Sequence, residues 1–247
     1  MLVLCTGMIR SGSTLQYNLA RSLLTKLGAG KGEGFLDSAQ LPLLTDQLHL
    51  WAKDEAIHVV KVHAIPALAA EHSTNATVRI CYVYRDIRDV AASVKRIWGA
   101  RGRKLFAALE KAIHTYYEVT AIPNVLLWKY ENIVGDLTAP VEELAAFLGL
   151  EAPPDVVSTI AADCSLETAK LVVNNMGRKL LLQLRPILRR IGLPRSRVYH
   201  PGTLLHPNHI SETEGRNDIW RELLDEEESV FISKRYASWL EEQGYAA

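Results

Sequence analysis

Short apolar runs alternate along this chain with longer stretches of helical period. Leu2-Val3-Leu4-Cys5 is followed by Leu15, Leu19, Leu23 and Leu27, one face of a helix that Gly28 ends. That pattern predicts a strand, a loop and a helix. Ile57 to Val62 and Val78 to Tyr84 predict two further strands, the latter leading into a helix whose Ile87, Val90, Val94 and Ile97 share a face. After the turn at Pro123-Asn124, Val125 to Tyr130 predicts a fourth strand, and Pro140 to Leu148 a helix closed by Gly149. Near the end, helices carrying Leu224, Phe231, Tyr236, Trp239 and Leu240 are expected to turn these residues to the core. Strands separated by helices imply an α/β fold: one three-layer domain with a mostly parallel central sheet and helices on both faces. In such a sheet, ligands collect at the carboxyl ends of the strands.

Composition narrows the class. At 247 residues, 48% hydrophobic and 23% charged, the chain is neither a disordered tail nor a rod or coiled coil, and one domain is expected. The 28 basic and 28 acidic side chains cancel, which removes the global cationic field of a nucleic-acid binder, so anion recognition must be local. Cys5, Cys81 and Cys164 lie far apart, two of them in apolar runs, suggesting neither a disulfide framework nor a zinc site. No run approaches the roughly 18 apolar residues of a membrane span, and no export signal is evident, so a cytoplasmic protein is expected. Between Thr168 and Ser211 there is no acidic residue, whereas Asp225-Glu226-Glu227-Glu228 and Glu241-Glu242 follow; these two parts are expected to pair electrostatically.

The loop Gly7-Met8-Ile9-Arg10-Ser11-Gly12-Ser13-Thr14 lies between a buried strand and a helix amino terminus, with the glycine spacing of a phosphate-binding loop. Its glycines let backbone amides turn toward an anion, the helix dipole adds to the attraction, and Ser11, Ser13 and Thr14 carry hydroxyl donors. Where a nucleotide triphosphatase loop has lysine, this chain has Ser13, and the only cation in the loop is Arg10. A magnesium-free phosphate or sulfate ester held by a guanidinium fits better than a magnesium-bound triphosphate. The plainer alternative is a glycine turn capped by serine. In Tyr84-Arg85-Asp86-Ile87-Arg88-Asp89-Val90, Arg85 ends a strand, Asp86 or Asp89 can cap the next helix, and Ser93 falls about two turns in. Arg85 and Ser93 make a candidate single-phosphate site, the alternative being an arginine paired with Asp86 or Asp89.

Together with Trp128-Lys129-Tyr130-Glu131-Asn132 and the helix that follows, these two segments resemble the sulfotransferases that use 3'-phosphoadenosine-5'-phosphosulfate (PAPS), over about Leu2 to Leu150. The resemblance implies that Arg10, Ser11, Gly12, Ser13 and Thr14 grip the 5'-phosphosulfate, that Arg85 and Ser93 grip the 3'-phosphate, and that Tyr130 approaches the adenine. Residues 1–150 then form the donor-binding core, 165–215 a substrate or lid segment, and 216–247 the closing helices. Two features depart from the family's cytosolic branch. Leu15 stands where that branch has an adenine-stacking tryptophan, and its Arg-Lys-Gly run has no clean copy; the best substitutes are His209 and Arg216.

Lys61 and His63 end a strand and, two residues apart, project to the same side. Near a donor, His63 can take a proton from an acceptor hydroxyl or amine while Lys61 and Arg10 stabilise charge on the leaving phosphate. The family's cytosolic branch has a similar lysine and histidine; its carbohydrate and protein-tyrosine members use a glutamate after the first helix, which makes Glu33 a rival base. The expected activity is therefore metal-independent sulfuryl transfer from PAPS to a small-molecule or glycan acceptor. The alternatives are a P-loop nucleotide or small-molecule kinase and a non-catalytic nucleotide-binding protein. The basic stretch 178–197 reads as a packed helix with a solvated face, a mobile cover, or a surface for an anionic substrate or lipid headgroup.

Overall fold

The computed structural model describes residues 1–69, 76–175, 200, 202–206 and 213–245. Five strands, β1 (Leu2–Gly7), β2 (Gly30–Leu36), β3 (Ile57–Val62), β4 (Val78–Tyr84) and β5 (Val125–Lys129), form one sheet in the order β2-β3-β1-β4-β5. Every pairing is parallel. Helices α1 (Ser13–Leu27), α2 (Thr45–Lys53), α3 (Ile87–Trp98), α4 (Gly102–Thr120), α5 (Thr138–Leu148), α6 (Pro154–Asp163) and α7 (Leu166–Asn175) precede a carboxyl-terminal pair, α8 (Glu226–Arg235) and α9 (Ala237–Glu242).

Alternation of side chains across the central strands builds two apolar layers. Leu2, Leu4, Val60, Ile80 and Tyr82 pack under α2, α3, α4 and the carboxyl-terminal helices, whereas Val3, Cys5, Val59, Cys81 and Val83 pack under α1, α5 and α6. A parallel sheet covered on both faces needs strands without a polar side, and these runs supply them. The chain leaves β1 through α1 toward one edge and leaves β4 through α3 toward the other. The crevice between their carboxyl ends is therefore the topological switch point of the sheet.

Two parts of the sequence reading change. β2, Gly-Lys-Gly-Glu-Gly-Phe-Leu, is an edge strand that its glycines conceal: a Cβ on Gly30 would lie 1.9 Å from the Ile57 carbonyl oxygen, and the ladder slips between Gly32 and Gly34, the latter at φ 96°. Phe231 does not join the core but is 48% exposed beside Phe106, whereas Leu224, Tyr236, Trp239 and Leu240 are buried. The acidic stretch at 225–228 meets α3, where Lys95 pairs with both Glu228 and Asp225. Its expected basic partner at 178–197 lies outside the described residues. Among the described residues no helix is long and apolar enough to cross a membrane.

Candidate active site

The loop after β1 is pressed onto β4. A Cβ at Gly7 would fall 2.5 Å from the Val83 carbonyl oxygen, and Met8 N donates to that oxygen at 2.9 Å. Ser11 is completely buried, its Oγ 2.8 Å from Val83 O and 2.6 Å from Met8 O. That hydroxyl thus holds the loop, and the loop faces the cavity through Arg10, Gly12, Ser13 and Thr14. Gly12 begins α1 at φ 92° with no side-chain cap, which leaves the helix dipole unanswered by a carboxylate. A side chain there would meet the Tyr130 ring at 2.9 Å. Arg10 adopts a left-handed φ of 64°, a conformation costly for a non-glycine residue, and its Nε donates to Ser93 Oγ at 3.0 Å.

Arg85 follows β4 and is buried. Its Nη2 donates to Asp89 Oδ2 at 3.1 Å and to the Arg216 carbonyl at 2.8 Å, and its guanidinium lies 4.2 Å from the Tyr130 ring centroid. Its Nε is buried without a hydrogen-bond partner. Asp86 caps α3 through Arg88 N and also binds the Arg88 guanidinium. Asp89 reaches the opposite way, accepting from Asp218 N and Trp220 N at 3.0 Å each. This clasp brings residues 215–220 over Arg85. Tyr130 Oη donates to Gly215 O at 3.1 Å, while Glu131 accepts from Asp86 N and Tyr245 Oη. The clasping role of Asp89 and the bridging of Glu131 were not legible, because both depend on the returning carboxyl-terminal chain.

Lys61 and His63 project from β3 to the same side, as their spacing requires, and both stand beside Phe35: Lys61 Nζ is 5.2 Å from its ring centroid and the His63 ring 4.9 Å. Burial lowers the Lys61 ammonium pKa to about 8, against a smaller opposing effect from Cys5. Burial, then the charges of Arg96 and Arg85, lowers that of Arg10 to about 10. A crowded set of cations in a low-dielectric wall is poised for an anion.

These residues share one cavity of about 1260 Å³ at the carboxyl ends of the strands, lined among others by Arg10, Gly12, Ser13, Thr14, Lys61, His63, Arg85, Ser93 and Tyr130. Glu33 is elsewhere. It sits in the β2 bulge with its Oε1 2.7 Å from His58 Nδ1, and His58 Nε2 lies 2.8 Å from Asp54. The carboxylate is held toward the start of β3, away from Lys61 and His63. Arg216 contributes its carbonyl to Arg85, but its exposed guanidinium pairs with Glu222 at 2.9 Å. His209 lies outside the described residues. Leu15 lines the cavity wall, as do Asn18 and Arg21 one and two turns further along α1.

No curated protein matches the chain. Solved structures resemble it in fold at low identity. Retinol dehydratase in complex with retinol and PAP is 17% identical at a TM-score of 0.57, over 97% of this chain and 81% of that one. Mouse sulfotransferase SULT7A1 complexed with PAP is 11% identical at 0.57, over 97% and 84%. A second retinol dehydratase complex, with androsterone and inactive cofactor PAP, is 19% identical at 0.55, over 98% and 80%. The family model of the sulfotransferase domain matches residues 3–179, most of the sheet and the whole loop-to-α7 wall of the cavity, and the chain therefore belongs to the sulfotransferase family.

Proposed function

We propose that this sulfotransferase binds PAPS with the 5'-phosphosulfate against the Arg10–Thr14 loop and the 3'-phosphate against Arg85 and Ser93. The observation that carries the reading is the opening of two arginines, from adjacent strands of the switch point, into one cavity that Ser93, hydrogen-bonded to Arg10, also lines. The buried, unpartnered Nε of Arg85 and the burial and neighbouring cations that lower the Arg10 pKa fit a ligand with two anionic ends. Tyr130, wedged between Gly12 and Arg85, is assigned to the adenosine between those ends.

When bound, the donor supplies a sulfuryl group, displaced in line from the bridging oxygen by an acceptor hydroxyl or amine. His63 accepts the acceptor's proton at a ring nitrogen. Lys61 and Arg10 meet the negative charge that grows on the leaving phosphate, in a wall where such charge is poorly screened. Phe35 limits where the Lys61 and His63 side chains can go. Acceptor access is assigned to the side bounded by Phe35, His63, Ile97, Trp98 and Lys111, and residues 165–215, of which 165–169 and 203–206 line the cavity, to a cover. A small-molecule or glycan acceptor is the reading; retinol and androsterone are what the solved relative holds.

Calorimetric titration with 3',5'-adenosine bisphosphate tests the donor assignment. Binding is expected with and without magnesium, and Arg85→Ala should weaken it at least about tenfold while barely changing binding of adenosine 5'-phosphate. Equal losses for the two ligands would refute the 3'-phosphate assignment. Binding of ATP with magnesium, and not of the bisphosphate, would favour a kinase instead.

A further inference from the structure

The wall of the cavity formed by α1 carries a polar pair that neither the phosphate contacts nor the chemistry uses. Asn18 is 5% exposed. Its Nδ2 donates to Thr203 O at 2.9 Å, which fixes the amide orientation and leaves Oδ1 as an acceptor without a partner. One turn on, Arg21 also lines the cavity; its Nε is buried without a partner, and among the described residues no carboxylate pairs with it, the nearby Asp163 being held by Lys26 at 3.0 Å. Buried polar atoms left unpaired are uncommon and costly, by about 1–3 kcal/mol each. Here one acceptor and one donor come from residues three apart on α1, about 6 to 10 Å along the axis from Thr14 at the phosphate loop. Leu15, Leu166 and Leu204 line the same cavity and supply it with apolar wall on which a flat ring can pack.

We infer that Asn18 and Arg21 read the edge of the donor's base and select adenine. The inference rests on the donor reading above. Adenine presents an amino donor beside a ring-nitrogen acceptor, the complement of Asn18 Oδ1 and the Arg21 guanidinium. Guanine and hypoxanthine present the reverse, a carbonyl acceptor beside an N–H donor. Against this pair each would set acceptor on acceptor and donor on donor.

The test titrates the full chain with the 3',5'-bisphosphates of adenosine, inosine and guanosine. The unaltered protein is expected to prefer adenosine by at least about tenfold. Asn18→Leu, close to the same shape, and Arg21→Met, which keeps the apolar stem, should each lower that preference several-fold by weakening adenosine bisphosphate with little change for the inosine ligand. Arg21→Met keeps the test decisive if loss of the Asn18–Thr203 bond prevents folding. A parallel loss of affinity for all three ligands would mean the pair is merely structural and would overturn the inference. Equal binding of the three bases by the unaltered protein would overturn it while leaving the donor reading intact; binding of none would overturn both.

Discussion

Lys61 carries a charge that its surroundings oppose, and the opposition has a sign. Because burial holds its pKa near 8 in the folded chain and near 10.4 when unfolded, the unfolded state binds more protons between those values, and the penalty on folding relaxes as pH rises through that window. Lys61→Met should therefore raise stability toward denaturant at neutral pH, by a margin that shrinks from about pH 8 to pH 10. The same substitution should cut sulfuryl transfer by about a hundredfold or more. In the unaltered protein, kcat/KM for the donor should fall above pH 8, a limb that Lys61→Met removes. His63→Ala is expected to abolish most turnover with donor affinity nearly unchanged; unaltered turnover would dismiss His63 as the base. These strand-end residues could be found from the sequence because alternation along a strand settles which side chains share a side. Arg216 could not, since whether a loop residue offers its guanidinium or its carbonyl depends on where the chain returns, and Glu222 claims the guanidinium here.

At the scale of elements, the segment from β1 to α1 works through what it omits. Gly12→Ala would combine a left-handed φ of 92° with a methyl 2.9 Å from the Tyr130 ring, and should destabilise the fold by about 1–2 kcal/mol or more while displacing Tyr130 from Arg85. Near-ultraviolet circular dichroism would report the tyrosine, and calorimetry the weakened bisphosphate binding. Asp89→Ala should cost about 3 kcal/mol in chemical denaturation, because it strands the buried Arg85 and releases the amides of Asp218 and Trp220. The apolar strands β1, β3, β4 and β5 announced themselves by composition. β2 did not: its register is set by glycines that allow close approach to β3 and α1, and absent side chains give no hydrophobic period to read.

For the whole molecule, the proposed donor site draws on the two halves of the sheet at their junction. A ligand spanning both arginines binds only the folded arrangement, so 3',5'-adenosine bisphosphate at about 100 times its dissociation constant should add about 2.7 kcal/mol of stability. For 247 residues that is roughly 5–10 °C in Tm, and a chelator should leave the shift unchanged. The architecture was accessible from the alternation of strand and helix because β1, β3 and β4 are apolar on both faces and leave few other arrangements. The closure of residues 215–220 over Arg85 was not, because it joins positions 131 residues apart through backbone amides, which carry no residue signature.

The Arg10–Ser93 hydrogen bond makes the site indivisible. In the proposed donor site Arg10 is assigned to one anion and Ser93 to the other, so a ligand that pulls on either side chain should re-aim its neighbour. Half-molecules should consequently fail to substitute for the whole: inorganic sulfate and adenosine 3'-phosphate supplied together would each have to settle the geometry alone, and the intact donor should bind far more tightly than the product of the two separate affinities suggests.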